Sequence, residues 1–210
     1  MISCYKTLAI NSTSEIVIEK SKFIATLKRV TNEDEVSFFF SQIKKKYWDA
    51  THNCTAHILT SGIVRSSDDG EPSGTAGKPI LECLKKTDLK NVAVVITRYF
   101  GGIKLGSGGL IRAYTAATQN GIKYSGIVEF KSHQSFVLSI EYSQWDKLEN
   151  FLKINKIKYE KPNFTDKVTV KFFTQNGDEI LNHIRNLFNS NIEYHEENGE
   201  FIEIPLLSPI

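Results

Sequence analysis

Hydrophobic positions along this chain fall into two successive textures. Ile16 to Val30 reads as two short strands on either side of Lys20-Ser21-Lys22. Val36, Phe39, Phe40, Ile43 and Tyr47 then recur at helical spacing, and Thr31 with Asp34 resembles a capping box, which predicts a helix to about residue 47. Its Lys44-Lys45-Lys46 end suits the negative pole of the helix dipole. A strand is expected from Cys54 to Thr60, followed by a long polar segment, Ser61 to Ala76. A short helix comes next, with Pro79 near its first turn and Ile80, Cys83 and Leu84 on one face. Val92-Ala93-Val94-Val95-Ile96 is the continuous apolar run of a strand covered on both sides. The segment Gly101 to Gly109 carries five glycines. It leads into a helix with Leu110, Tyr114 and Ala117 inward, expected to close at Gly121.

From about residue 132 the texture changes. Ser135 to Glu141 reads as a strand, and Ser143 with Asp146 as the start of a helix burying Trp145, Leu148 and Leu152. Lys156 to Glu160 is a short strand and Pro162-Asn163 a turn. Val168, Val170 and Phe172 alternate as a half-buried strand should. Asn176 with Glu179 opens a second helix, with Ile180, Ile184 and Leu187 inward. Asn198-Gly199 predicts a closing hairpin turn. The order β-α-β-β-α-β fits a ferredoxin-like sandwich, two helices on one face of an antiparallel sheet. The expected class is α+β. The expected division is an N-terminal two-layer α/β domain, residues 1–131, and a ferredoxin-like C-terminal domain, residues 132–210.

Composition narrows the class without naming a function. Hydrophobic residues make up 40% and charged residues 24% of the 210 residues, which excludes disordered and collagen-like chains. No apolar stretch approaches the roughly 20 residues of a membrane span. Met1 to Leu8 lacks the layout of a secretory signal. Three cysteines, Cys4, Cys54 and Cys83, suit reduced thiols better than a disulfide framework. A cytoplasmic protein with no membrane association is expected. The net charge of +2 is unevenly spread: residues 1–131 hold 18 Lys and Arg against 12 Asp and Glu, and residues 132–210 hold 8 against 12. The asymmetry fits a first domain that meets something anionic, or chance variation.

Two segments carry residues that a core does not need: Ser66 to Pro79, and Thr97 to Arg112. Neither holds an established phosphate loop. Gly77-Lys78 has Pro72 where a Walker loop needs glycine and Pro79 where it needs a hydroxyl. Gly106-Ser107-Gly108 gives half a dinucleotide fingerprint, with Ile111 at the place of the third glycine. Glycines still permit positive φ and close approach of a ligand. A helix starting near Ser107 would offer free N–H groups to an anion. Arg98, Lys104, Arg112 and Lys78 would supply charge, and Gly101, Gly102, Gly106 and Ser107 would supply backbone. Glycines serving only a sharp strand-to-helix connection are the alternative.

Asp68, Asp69 and Glu71 are candidate ligands for a hard cation, or an acid–base pair, although Asp-Asp-Gly-Glu-Pro is also turn chemistry. His52, Cys54 and His57 lack a fourth zinc ligand, and a strand would send Cys54 and His57 to opposite faces. Ser73, Thr75 and Ser107 are candidate nucleophiles without a nearby histidine in sequence. No cofactor is expected.

Ser67-Asp68-Asp69-Gly70-Glu71-Pro72-Ser73-Gly74-Thr75-Ala76-Gly77, Pro79-Ile80-Leu81, and Thr97-Arg98-Tyr99-Phe100-Gly101-Gly102-Ile103-Lys104-Leu105-Gly106 together resemble the signature of the IMPACT/YigZ family. His52-Asn53-Cys54 matches that family's upstream pattern. The resemblance covers about residues 15 to 125, and the trailing domain looks like the bacterial C-terminal extension. It implies a first domain of the type found as the second domain of certain ribosomal proteins and as domain IV of elongation factor G, and a second domain similar to domain V of that factor. It implies no enzymatic reaction. The additional N-terminal domain of eukaryotic members has no counterpart here, so their stress-kinase role is not expected to carry over.

Three functions therefore stand as expectations. The first is a non-catalytic RNA- or ribosome-associated protein that modulates translation, with Arg98, Lys104 and Arg112 as phosphate contacts and Tyr99 and Phe100 as stacking groups. The second is a hydrolase using Asp68, Asp69 and Glu71 around a metal or a water. The third is a module that recognises a protein partner through the loops.

Overall fold

In the computed structural model, residues 4–189 and 191–205 are described. The elements in chain order are β1 (Cys4–Leu8), β2 (Ser12–Ile18), β3 (Ser21–Arg29), α1 (Glu33–Lys46), β4 (His52–Ile58), β5 (Val64–Ser67), α2 (Gly77–Lys86), β6 (Val92–Tyr99) and α3 (Gly106–Ser125). They continue with β7 (Ile127–Ile140), α4 (Tyr142–Ile154), β8 (Lys158–Tyr159), β9 (Asn163–Phe164), β10 (Val168–Thr174), α5 (Gly177–Phe188) and β11 (Glu193–Pro205). The architecture is α+β with antiparallel pairing. Contacts divide the chain into Met1–Phe130 with Glu203–Ile210, and Lys131–Ile202.

In the first unit five antiparallel strands run in the order β2-β3-β6-β4-β5. The apolar run of β6 takes the centre because both of its faces are covered. Val92, Val94 and Ile96 pack with Ile80 and Leu84 of α2 and with Leu110 and Tyr114 of α3. Ala93 and Val95 face the other way, onto Val36, Phe39 and Ile43 of α1. The sheet thus lies between helices, one layer more than the two the sequence implied. The β2–β3 hairpin turns through Glu19 and Lys20, both at positive φ, the geometry of a tight primed turn built without glycine.

Two helix boundaries differ from expectation. At the start of α1, Asn32 caps the Glu35 N–H and Glu35 reaches back to the Thr31 N–H, so the reciprocal cap uses the neighbours of the expected Thr31 and Asp34. α3 runs past Gly121 and closes at Gly126, whose φ is +64°. Gly121 instead lies inside the helix, where an added Cβ would stand 2.4 Å from Leu27 Cδ1. It lets α3 settle close on β3.

In the second unit β10 pairs antiparallel with β7, β8 and β9, and β11 pairs with β7. Phe136, Leu138 and Ile140 of β7 and Val168, Val170 and Phe172 of β10 project to one face. That face is covered by Leu148 and Leu152 of α4 and by Leu181 and Ile184 of α5, the ferredoxin-like arrangement. α4 is capped by Glu141 with Gln144 rather than by Ser143 with Asp146. The hairpin expected at Asn198-Gly199 is absent. Both residues lie inside the continuous strand β11, and a Cβ on Gly199 would meet the His133 carbonyl at 2.9 Å. Glycine serves close strand approach there, not a turn.

Candidate functional site

β4, β6 and α3 bring residues distant in sequence to one end of the first unit's sheet. β6 delivers Arg98, and register pairs it with His52 on β4 and Phe23 on β3. α3 delivers Tyr114 from below. The loop after β5 folds back over them and lowers Glu71 into the middle.

Glu71 and Arg98 are 8% and 5% exposed, so their charges are held away from water. Glu71 Oε1 accepts from Arg98 Nη1 at 2.7 Å and from the Tyr114 hydroxyl at 2.7 Å. Arg98 Nη2 reaches Ser21 Oγ at 3.4 Å, and its Nε is buried without a partner. The guanidinium carbon lies over the rings of Phe23 and Phe100, 5.4 and 5.5 Å from their centroids. His52 Nδ1 donates to the Asp69 carbonyl at 2.8 Å, which leaves Nε2 3.8 Å from Glu71 Oε2. A buried pair of this kind adds little net stability over an apolar substitute, yet losing one partner strands the other charge. Its effect is to fix the 66–77 loop, β6 and α3 in one arrangement.

Cys54 Sγ lies 3.3 Å from the Tyr114 hydroxyl and 3.0 Å from the Asp68 carbonyl. Burial, above all, pushes its pKa up to about 12, with the nearby acidic groups adding to the effect. It is therefore a protonated thiol at neutral pH. Burial likewise drives the Tyr114 phenol far above its ordinary range, helped by Cys54 and Glu71, so it stays a donor. Cys54 and His57 do face opposite sides of the sheet; His57 Nε2 meets Glu33 Oε1 at 2.9 Å.

The candidate carboxylates do not converge. Asp68 Oδ1 accepts the Ala76 and Gly77 N–H groups at 3.0 and 2.8 Å, and Oδ2 accepts that of Gly74 at 2.8 Å. It thereby caps the start of α2. Burial works against the ionised form, but those three bonds outweigh it and hold the Asp68 pKa below the usual carboxylate value. Asp69 Oδ2 accepts the Asn53 N–H at 2.6 Å. Glu71 is committed to Arg98 and Tyr114. Each carboxylate of the proposed metal set thus serves a different internal partner, and among the described residues no three His, Cys, Asp or Glu side chains form a set that could hold a metal ion. Thr75 donates to the Pro72 carbonyl at 2.6 Å, and no Ser or Thr hydroxyl among the described residues bonds to a histidine.

The second Gly-rich segment is open where the first is closed. Gly101 passes against the β2–β3 turn so tightly that a Cβ would lie 2.0 Å from Lys20 C, so its close contact is with the chain itself. Gly102 and Gly106 have positive φ with open space around them. α3 then starts with no capping side chain and no acidic residue in its first turn. Lys104, Ser107 and Arg112 are exposed there, as is Lys78 on the first turn of α2. Arg112 reaches back along α3, its Nη1 3.6 Å from where a Gly108 Cβ would sit. Lys78, Lys104 and Arg112 are in no ion pair among the described residues. Arg98, by contrast, is not an open surface cation: Glu71 neutralises it. Nothing in the spacing of Glu71, Arg98 and Tyr114 marks them as partners. They meet because β6, α3 and the intervening loop fold onto one another.

Residues 19–122 match the Impact N-terminal domain family. The chain is 44% identical over 177 residues to IMPACT family member YvyE of Bacillus subtilis, covering 83% of this chain and 82% of the relative. It is 33% identical over 139 residues to IMPACT family member YigZ of Escherichia coli, covering 64% and 68%. It is 42% identical over 94 residues to a Protein IMPACT homolog of Dictyostelium discoideum, covering 42% of this chain and 27% of that protein. A crystal structure titled as that of an hypothetical protein superposes with TM-score 0.61 at 25% identity, covering 92% of this chain and 97% of that one.

Proposed function

The chain belongs to the IMPACT family, and for it we propose a non-catalytic, RNA- or ribosome-associated role in modulating translation in the cytoplasm. The observation that carries this reading is the exposed, uncapped start of α3. There the N–H groups around Gly106 and Ser107 sit beside Lys104 and Arg112, two cations without carboxylate partners among the described residues. Phosphate is the anion that such a combination of helix dipole, N–H groups and cations suits. Lys78, exposed on the first turn of α2, extends the same positive character. Catalysis has less support, since the carboxylates that would perform it are occupied by Arg98, Tyr114 and backbone N–H groups.

Filter binding of RNA across a salt series tests the proposal. Wild type should lose affinity steeply with salt, and Lys104→Ala with Arg112→Ala should lower the slope by about 1.4 for a single strand. Absent or salt-insensitive binding by the wild type, together with no co-sedimentation with ribosomes, overturns it.

A further inference from the structure

The turn after α1 holds a second feature that the α3 site does not use. Trp48 is 82% exposed, and neither its ring nor its indole N–H has a partner among the described residues. An indole left almost wholly in water forgoes the burial such a large side chain normally gains. The segment that carries it is nevertheless tied down. Ala50 N–H and Asn53 Nδ2 both donate to the Tyr47 carbonyl, at 3.1 and 3.2 Å. Thr51 N–H donates to the Arg98 carbonyl at 2.9 Å, and the Phe100 N–H donates to Thr51 Oγ1 at 3.0 Å. The Tyr99 hydroxyl donates to Asp49 Oδ1 at 2.8 Å. Trp48 is thus one residue away from a lacing that ends at Phe100, itself 47% exposed. Lys44, Lys45 and Lys46, all exposed, close the helix just before it.

We propose that Trp48 and Phe100, flanked by Lys44, Lys45 and Lys46, form a stacking surface for the unpaired bases of single-stranded RNA. This rests on the RNA reading above and specifies the form of the RNA. Flat aromatic faces stack only on bases that are not already stacked inside a duplex, and neighbouring ammonium groups follow the backbone phosphates. Charge favours nucleic acid over a protein partner: three consecutive exposed lysines precede Trp48 in the chain, Lys44 3.8 Å from Asp69 and Lys46 over the Tyr47 ring, and lysine is depleted from protein interfaces. The one carboxylate in the turn, Asp49, is engaged by Tyr99. Because hydrogen bonds already fix the backbone that carries both rings, binding would order side chains more than backbone.

The chain has two tryptophans, and Trp145 lies partly buried against Tyr159 and Phe164, so Trp145→Phe leaves Trp48 as the sole reporter. A short oligouridylate should quench that emission saturably, and a blunt RNA duplex with the same number of phosphates should not. By filter binding with tryptophans otherwise intact, Trp48→Ala should weaken oligouridylate binding roughly 5- to 100-fold with an unchanged salt slope. Equal quenching by the duplex overturns the proposal. Undiminished oligouridylate binding by Trp48→Ala also overturns it, and leaves the RNA reading standing if Lys104→Ala with Arg112→Ala still lowers the slope. No binding of either RNA by the wild type brings down both. Ribosome co-sedimentation lost in Trp48→Ala while oligouridylate binding persists assigns the surface to a protein and overturns the proposal.

Discussion

The two Gly-rich segments of the first unit look alike in sequence and are built for opposite ends. The segment 66–77 is closed on itself. Asp68 takes three backbone N–H groups, Glu71 is sunk between Arg98 and Tyr114, and the start of α2 is capped by a carboxylate nine residues upstream of Gly77. The segment 99–109 ends with α3 open, uncapped and bordered by cations that are in no ion pair among the described residues. Both are rich in glycine, but only the first carries acidic residues. What separates them is whether the acidic residues turn inward to satisfy the backbone and a buried cation, or are missing and leave N–H groups free. The closed loop acts as the frame, and the open one presents a surface.

The closed loop is most vulnerable at the buried pair. Arg98→Met leaves the Glu71 carboxylate without its cation in a buried site, which should cost about 3–5 kcal/mol and lower the unfolding midpoint by roughly 10 °C. Calorimetry or thermal circular dichroism reads it. If Arg98 were instead a free phosphate contact, the variant would melt like the wild type and lose only RNA affinity.

Next in size are neighbouring glycines with different duties. Gly101→Ala drives a Cβ into the Lys20 backbone, where no flexible side chain can yield, and should cost about 2–3 kcal/mol. Gly102→Ala meets nothing but must adopt φ near +86°, at about 1–2 kcal/mol. Urea denaturation of the two variants should rank them in that order. Reversal would mean that the strand-end contact of Gly101 is looser than its geometry implies.

Much of this frame was legible from residue pattern. The apolar run 92–96 announced a strand covered on both faces, and the helical spacings at 36–47 and 110–117 placed α1 and α3. The even-numbered positions of β10 announced the second unit's core. Features set by tertiary approach were not legible. Gly121 and Asn198-Gly199 carry turn chemistry, yet one glycine admits Leu27 and the other a neighbouring strand, and no local rule separates such a glycine from a terminator. Arg98 read as a surface cation because its counter-charge, Glu71, lies 27 residues away and reaches it only through the fold. The open start of α3 was legible because its signal is local: glycines, no acidic residue, and cations on either side.

A smaller effect tests the closed loop from the side of pH. The Asp68 pKa is lower folded than its ordinary value of 3.8. Its stabilisation is therefore fully present above that value and is lost as the pH falls through the depressed one. Asp68→Asn should cost about 1 kcal/mol at neutral pH, the size of a helix-cap bond, and should flatten the acid limb of the stability profile. An unchanged acid limb would mean that another carboxylate governs it.

A carboxylate placed at the start of α3 gives the open loop the residue type that closes the other one. Ser107 is the second residue of α3, exposed and free of acidic neighbours in the turn. A carboxylate there faces the positive pole of the helix dipole and the free N–H groups, so Ser107→Asp should stabilise the protein by about 0.3–1 kcal/mol. The same charge occupies the place proposed for phosphate and repels it, so RNA affinity should fall while the unfolding midpoint rises slightly. Opposite signs in the two measurements are the signature of a helix start left open for a ligand at some cost in stability. If the helix start were open merely because nothing selected against it, Ser107→Asp would raise stability and leave RNA binding as it was. If Lys104 and Arg112 bound phosphate away from the helix end, affinity would fall with added salt as before and be indifferent to the new carboxylate. Denaturation and filter binding on the one variant, set beside Lys104→Ala with Arg112→Ala, separate these cases.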